Sequence, residues 1–189
     1  MRYAPVAARF DDIFASALKG EWLSRLYLLR HARAGWAKPG MKDFDRPLDE
    51  TGIADAKATG EVMRACHYVP DLTLCSTALR TRETLEEIAA STDTGRVIFL
   101  DALYSEDAGT YLDLILQNGS AGSLLVIGHN PMMEDLAMAV SRGGEESALT
   151  LLQHGFPTSG LAVIRFEKSL GRAAPDSGYL EAFLLPMHQ

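Results

Sequence analysis

Two histidines, two arginines and a carboxylate draw attention because each follows a short apolar run. Arg30 and His31 follow Leu26–Leu29, and Arg80 lies just past Ser76-Thr77 after Leu72–Cys75. His129 follows Gly128 at the end of Leu124–Ile127, and Glu106 lies in the loop after Val97–Leu100. Open α/β sheets bind ligands beyond the carboxyl ends of their strands, so these side chains would converge on one rim. Paired imidazoles among arginines suit phosphoryl transfer, whose transition state spreads charge over equatorial oxygens that must be clamped. A neutral imidazole is a competent nucleophile on phosphorus, and nearby guanidinium charge favours that neutral form. Arginine's planar fork fixes a phosphate through paired hydrogen bonds. The GxSxG, GxxxxGK[ST] and GxGxxG patterns are absent; serine-hydrolase, P-loop and dinucleotide readings lose their fingerprints.

Each residue also has a local explanation. A strand-end Arg30 reads equally as a solvated surface residue. Arg80 falls in the first turn of the following helix, where the macrodipole disfavours a cation by about 0.3–1 kcal/mol. An anion held there would reverse the sign. Asn130 reads as an N-cap and Pro131 as a first helical residue. Neither accounts for His129.

The elements that must position these groups alternate. Short apolar runs and helix-period segments predict an α/β sheet covered on both faces. Beyond the four runs above, Leu161–Phe166 and Tyr179–Leu185 read as late strands, antiparallel to each other across the turn-rich Gly171–Gly178. Ile53, Ala56, Gly60 and Met63 mark one helical face; Leu85, Ile88 and Ala89 a second; Leu112, Ile115 and Leu116 a third. Met133, Leu136, Ala137 and Val140 form the stripe of a fourth. Residues 1–24 read as an appended helix, with Phe10, Ile13, Phe14 and Leu18 at helical spacing, and 25–189 as a single domain. Trp22 and Trp36 read as ordinary packing residues, with a place at the site rim as the other option.

Composition bounds the function. The 189 residues carry 18 basic and 25 acidic side chains, a net −7, with no Lys/Arg run. Nucleic-acid binding, which needs a basic footprint, is not expected. Thirteen of the 18 basic residues are Arg, the side chain that grips phosphate or carboxylate. Cys66 and Cys75 form no CxxC motif and read as two reduced core cysteines, without a structural zinc site. Asp11 and Asp12 interrupt any signal-peptide pattern, and no apolar run approaches the ~20 residues of a membrane span. A cytoplasmic protein with no membrane partner is expected.

Three segments carry a family resemblance. Leu28-Leu29-Arg30-His31-Ala32, Ser76-Thr77-Ala78-Leu79-Arg80-Thr81-Arg82-Glu83-Thr84 and Val126-Ile127-Gly128-His129-Asn130-Pro131 resemble the signatures of the histidine phosphatase superfamily, in that order. Asp45-Arg46-Pro47-Leu48-Asp49-Glu50-Thr51-Gly52 and Phe156-Pro157-Thr158-Ser159-Gly160 look like its small SixA-like phosphohistidine phosphatase subgroup. The resemblance spans about residues 26–185. It implies a three-layer α/β/α sandwich with a mostly parallel sheet, phosphoglycerate mutase-like, and a phosphatase working without metal or other cofactor. Carried over residue by residue, His31 would be the transiently phosphorylated nucleophile. Arg30 and Arg80 would grip the phosphoryl oxygens, His129 would complete the pocket, and Arg46 would lie near the phosphate. Ala32 replaces the Gly of many relatives, a departure shared by the phosphohistidine branch. For the general acid, Glu106 lies in the right loop, with Asp107, Asp45 and Asp43 as competitors.

Between Arg80 and His129 there is room for one strand and one helix, not for an inserted cap domain. An open site follows, suited to a phosphorylated protein or a small phosphoester. A phosphoglycerate mutase-like phosphotransferase and a non-catalytic phosphate-binding module are the alternatives. A monomer or weak homodimer is expected.

Overall fold

The computed structural model describes residues 23–185; the helix expected over residues 1–24 lies almost wholly outside them, as does Trp22. The chain runs β1 (Ser24–Arg30), α1 (Glu50–Ala65), β2 (Leu72–Ser76), α2 (Leu79–Ala89) and β3 (Arg96–Leu100). It continues through α3 (Ala102–Ser105), α4 (Ala108–Gln117), β4 (Ser123–Gly128) and α5 (Met132–Val140). Strand β5 (Ser141–Gly144), α6 (Glu146–Gln153), β6 (Leu161–Phe166) and β7 (Gly178–Leu184) follow. Ser24 already belongs to β1, one residue before the expected domain start.

The seven strands are ordered β3-β2-β4-β1-β6-β7-β5. Pairs β1/β4, β2/β4, β2/β3 and β5/β7 are parallel; β1/β6 and β6/β7 are antiparallel. The sheet is mostly parallel, and the two late strands are antiparallel as expected. Alternation along β1 sends Leu26 and Leu28 to one face and Tyr27 and Leu29 to the other. The first face is covered by α4, α5 and α6 through Tyr111, Ile115, Leu136, Val140 and Leu152. Helices α1 and α2 cover the second with Met63, Leu85 and Ile88. Three α/β/α layers result.

The helix predictions hold on the stripe of α5, whose Met133, Leu136, Ala137 and Val140 are all buried. Ala89 is exposed instead of buried: the buried stripe of α2 runs through Arg80, Thr81, Thr84 and Leu85 and ends at Ile88. Strand β5 and helix α6 are additions to the sequence reading. Cys75 is a core residue but Cys66 is exposed; it follows the last turn of α1, where the chain turns away from the core. Trp36 is 95% exposed, so it packs in no core. Among the described residues, no helix is long and apolar enough to cross a membrane.

Register decides where the site forms. Arg30 lies opposite Gly128, Cys75 opposite Ile127 and Ser76 opposite Leu100. The next residues along the chain, His31, His129, Thr77 and Asp101, therefore leave four neighbouring strands at one level. The Thr77 hydroxyl donates to Asp101 Oδ1 at 2.6 Å, tying the β2 and β3 ends together.

Candidate active site

His31 is oriented by its own backbone. Its ring Nδ1 lies 2.7 Å from the Ala32 carbonyl oxygen. A carbonyl only accepts, so Nδ1 carries the proton and Nε2 presents a lone pair. The Ala32 amide donates to Thr84 Oγ1 at 3.0 Å, and the Thr84 hydroxyl donates to the Arg80 carbonyl at 2.6 Å. The loop carrying His31 is thus bolted to the helix carrying Arg80. Gly52 is required beneath it: a Cβ there would overlap the Arg33 backbone.

Arg80 occupies the second residue of α2, and its guanidinium is only 7% exposed with the rest of the residue. Nε donates to His31 Nε2 at 3.2 Å, and Nη2 lies 3.3 Å from His129 Nδ1. His129 in turn sets its Nε2 against Ser76 Oγ at 2.9 Å. With Nδ1 accepting from Arg80, His129 is the Nε2–H tautomer, complementary to that of His31. The two rings are 5.0 Å apart. Gly128 precedes His129 because a side chain there would press within 2.7 Å of the Tyr111 hydroxyl.

Arg30 anchors Nη1 on the Phe156 carbonyl at 2.7 Å, and its buried Nε has no partner in the protein. Its charge acts on both imidazoles. An unspent, buried guanidinium N–H is what an incoming anion would satisfy. A groove of about 450 Å3, lined by Arg30, Asn130, Glu134, His154, Phe156 and Pro157, opens next to it. Asn130 is not a helix cap. Helix α5 starts two residues later, and Nδ2 of Asn130 donates instead to Glu134 Oε2 and the Phe156 carbonyl.

The loop between β1 and α1 brings in the remaining groups. Arg80 donates from Nη1 to the Asp43 carbonyl at 2.8 Å and from Nη2 to Asp43 Oδ2 at 3.1 Å. Asp43 Oδ1 accepts from Arg46 Nη1 at 2.8 Å, and the Tyr104 hydroxyl donates to Oδ2 at 3.3 Å. Arg46 is held by the Gly35 carbonyl at 2.9 Å. It therefore meets the pocket through Asp43. Tyr104 stands edge-on to His129 and under the Arg80 guanidinium. Of the four carboxylates considered from sequence, Asp43 is the one bonded to the arginines. Asp107 caps α4 through Thr110 at 2.9 Å. Glu106 and Asp45 are exposed, with no hydrogen bond or ion pair to the arginines or histidines. Ser76 was marked by its motif; Tyr104 carried no sequence signal.

Burial is the main cause holding both histidines neutral. It pulls His31 down to about 3, with His129, Arg80 and Arg30 adding to the depression and the Ala32 hydrogen bond opposing it. His129 is pulled to about 4 by burial and then Arg80, with Asp43 opposing. Partial desolvation pushes the Asp43 carboxyl up, but Arg46, Arg80 and the Tyr104 hydroxyl outweigh it and hold it below its ordinary value.

The histidine shifts set a pH window for stability. Unfolded histidine titrates near 6.5, above both folded values, so the unfolded chain binds more protons between them. Folding stability is then full above about pH 6.5 and declines as pH falls toward 4. Denaturant midpoints are expected to be lower at pH 5 than at pH 7.5, and the difference to shrink in His31→Asn. The same ordering predicts no acid limb near pH 6.5 in kcat/KM arising from His31.

Among the described residues, no group of three or more His, Cys, Asp or Glu is arranged to hold a metal ion. The family model of the histidine phosphatase superfamily (branch 1) matches residues 26–116. An uncharacterised protein of Mycobacterium tuberculosis is 32% identical over 161 residues, 84% of this chain and 99% of that protein. The crystal structure of a candidate phosphohistidine phosphatase SixA from Agrobacterium tumefaciens superposes with a TM-score of 0.74 at 38% identity. It covers 87% of this chain and 100% of its own. A second candidate SixA, from Nakamurella multipartitia, gives 0.73 at 28% identity, covering 87% of this chain and 96% of its own.

Proposed function

The chain belongs to the histidine phosphatase superfamily, and from that premise we propose a phosphatase that works through a phosphohistidine on His31. One observation carries the reading most directly: the unprotonated Nε2 of His31 faces the Arg80 guanidinium, with Nδ1–H already committed to the Ala32 carbonyl. The nucleophilic nitrogen is aimed at the place where an arginine-held phosphoryl group would sit.

In the first step His31 Nε2 attacks phosphorus, the N–P bond forms, and the bond from phosphorus to the leaving group breaks. The free Nε–H of Arg30 and the Arg80 fork take the equatorial oxygens. In the second, water attacks the phosphorus of phospho-His31, the N–P bond breaks, and inorganic phosphate leaves. His129 supplies no proton to Arg80, so its role is to hold the guanidinium and, through Nε2–H, the β2 end.

Asp43 gives this reading its acid. In the free enzyme the carboxylate is paired with Arg80 and Arg46 and is a poor proton donor. A phosphoryl group that takes Arg80 removes that pairing and sets its own negative charge beside Asp43. Both changes raise the carboxyl's affinity for a proton. Substrate binding would thereby load the acid that protonates the leaving group and, in the second step, receives the water's proton. The neutral imidazole released from a phosphohistidine needs little such help; an alkoxide needs a great deal.

We favour phosphohistidine in a protein over a small phosphomonoester, because no domain among the described residues covers the strand ends and the SixA-type structures are similar over 96–100% of their length. The test compares a phosphohistidine protein with phosphosugars, in wild type and Asp43→Asn. Wild type is expected to prefer the phosphohistidine protein. In Asp43→Asn, kcat on sugar phosphates is expected to fall about 10²-fold or more, the scale of general acid catalysis, and on phosphohistidine less than about threefold. KM should drop or hold for both, since a carboxylate no longer competes for Arg80. Comparable phosphosugar turnover with no action on phosphohistidine would sink the substrate choice; equal falls in kcat on both would sink the acid.

A further inference from the structure

We infer that the tip of the loop between β1 and α1, Trp36 to Lys42, is a docking surface for an acidic phosphoprotein. This rests on the phosphatase reading and extends it from the phosphoryl group to the surface that carries it.

The tip is anchored at its base and bare at its end. Ala34 and Leu48 form an isolated bridge, Gly35 N–H donates to the Pro47 carbonyl at 2.9 Å, and Asp49 N–H donates to the Arg33 carbonyl at 3.1 Å. The Met41 amide closes a turn on the Lys38 carbonyl at 2.9 Å. Beyond this frame, every residue from Trp36 to Gly40 is exposed, as is Lys42. Trp36 is 95% exposed. An indole held out in water on a framed loop gains nothing for the fold; aromatic side chains of this kind anchor interfaces.

Charge says what would cover it. Residues 31–42 contain Arg33, Lys38 and Lys42 and no Asp or Glu, in a chain with seven more acidic than basic residues. Arg33 is paired with Asp49 at 2.8 Å; Lys38 and Lys42 have no ion-pair partner among the described residues. An acidic partner meets repulsion from the chain as a whole and attraction at this tip, so it is oriented tip first.

The tip is also tied to the pocket. Trp36 is five residues past His31, so chain length alone keeps their Cα atoms within about 18 Å. Lys42 precedes Asp43, whose carboxylate is 3.1 Å from Arg80. A protein face that presents a phosphorylated side chain to His31 extends over the distance to Trp36, whereas a small phosphoester is held by the pocket arginines alone. A lipid surface fits less well, since membrane adsorption by basic segments takes about 4–8 Lys/Arg.

The test uses full-length protein and two variants, Trp36→Ala and Lys38→Glu/Lys42→Glu, none of them in the pocket. Substrates are p-nitrophenyl phosphate and a phosphoramidate-phosphorylated histidine protein, the latter in an acidic form and a form with the neighbouring carboxylates amidated. For the acidic phosphoprotein, kcat/KM is expected to fall about tenfold in each variant, mostly through KM. Turnover of p-nitrophenyl phosphate should stay within about twofold of wild type. The wild-type rate on the acidic form should decline with salt more steeply than on the amidated form. Parallel changes on both substrates, or none on either, overturn the docking role while leaving the phosphatase reading intact. Flotation of wild type, but not the variants, with anionic vesicles would assign the tip to a membrane. Loss of a dimer in Trp36→Ala would assign it to a second copy. A wild type inactive on every substrate would instead strike the phosphatase reading, and this proposal with it.

Discussion

Replacing His31 with alanine is expected to lower phosphatase turnover by about four orders of magnitude or more, the scale seen when a covalent nucleophile is removed. The expectation follows from geometry. Exposure and tautomer separate the two imidazoles: His31 is half-buried with an unprotonated Nε2 that meets only Arg80, whereas His129 is 5% exposed and its Nε2 carries a proton committed to Ser76. Rapid quench of wild type with labelled substrate should trap an acid-labile, alkali-stable phosphate on one histidine, and His31→Ala should trap none. The fold should survive, because His31 is only half-buried and the loop is held by the Ala32–Thr84 hydrogen bond. An unchanged rate in the variant, or a phosphoenzyme persisting without His31, would refute the mechanism. A phosphorylated wild type that returns its phosphate to a second substrate in preference to water would instead identify a phosphotransferase.

Arg80→Ala is expected to cost about 10²–10³ in kcat/KM, the effect of removing a donor that stabilises transition-state charge. Arg80 contacts four partners at once: His31 Nε2, His129 Nδ1, the Asp43 carbonyl and the Asp43 carboxylate. Its loss removes the donor to His31 Nε2 and the anchor of the Asp43 loop and, on the proposed mechanism, a phosphoryl clamp. Arg80→Lys should recover little, because a single ammonium cannot span both imidazoles and the Asp43 carbonyl. The pH profile separates a catalytic effect from a structural one. Without the Arg80 guanidinium, the His31 and His129 values should rise while burial still holds both below 6.5, so any acid limb of kcat/KM should move to higher pH than in wild type. A variant whose rate falls with no change in profile would point to simple misfolding, which circular dichroism would show.

Arg80→Ala and Asp43→Asn act on one contact. The Asp43 carboxylate sits on Arg80; on the proposed mechanism the phosphoryl group displaces it, and the same displacement converts it from counter-ion to acid. Arg80→Ala therefore breaks the coupling from one side and Asp43→Asn from the other. Their effects should be less than additive on a sugar phosphate, as for residues that share one network.

Much of this arrangement was readable in the chain. Apolar runs of four to six residues followed by charged or ring side chains placed Arg30, His31, Arg80 and His129 at strand ends, and the stripe of α5 was read residue for residue. The elements without a sequence signal have a weak local pattern. Ser141-Arg142-Gly143-Gly144 lacks both alternation and β-branched residues, and it becomes a strand only because β7 offers it an edge. The choice of Glu106 as acid rested on loop position; its carboxylate stays in solvent while Asp43, from another loop, reaches the arginine.

The sequence by itself determined which residues end each strand, because period and turn residues are local properties. Arg30-His31 and Gly128-His129 could be assigned before any pairing was known. Only the tertiary structure decided that they meet: the register that sets Arg30 against Gly128 and Cys75 against Ile127 is a property of three strands together. It also decided the tautomers, through an Ala32 carbonyl on one ring and Ser76 on the other, and which carboxylate bonds Arg80, through an Asp43–Arg80 contact spanning 37 residues. Hydrogen bonds act over about 3 Å, and no spacing along a chain fixes which distant atoms come that close.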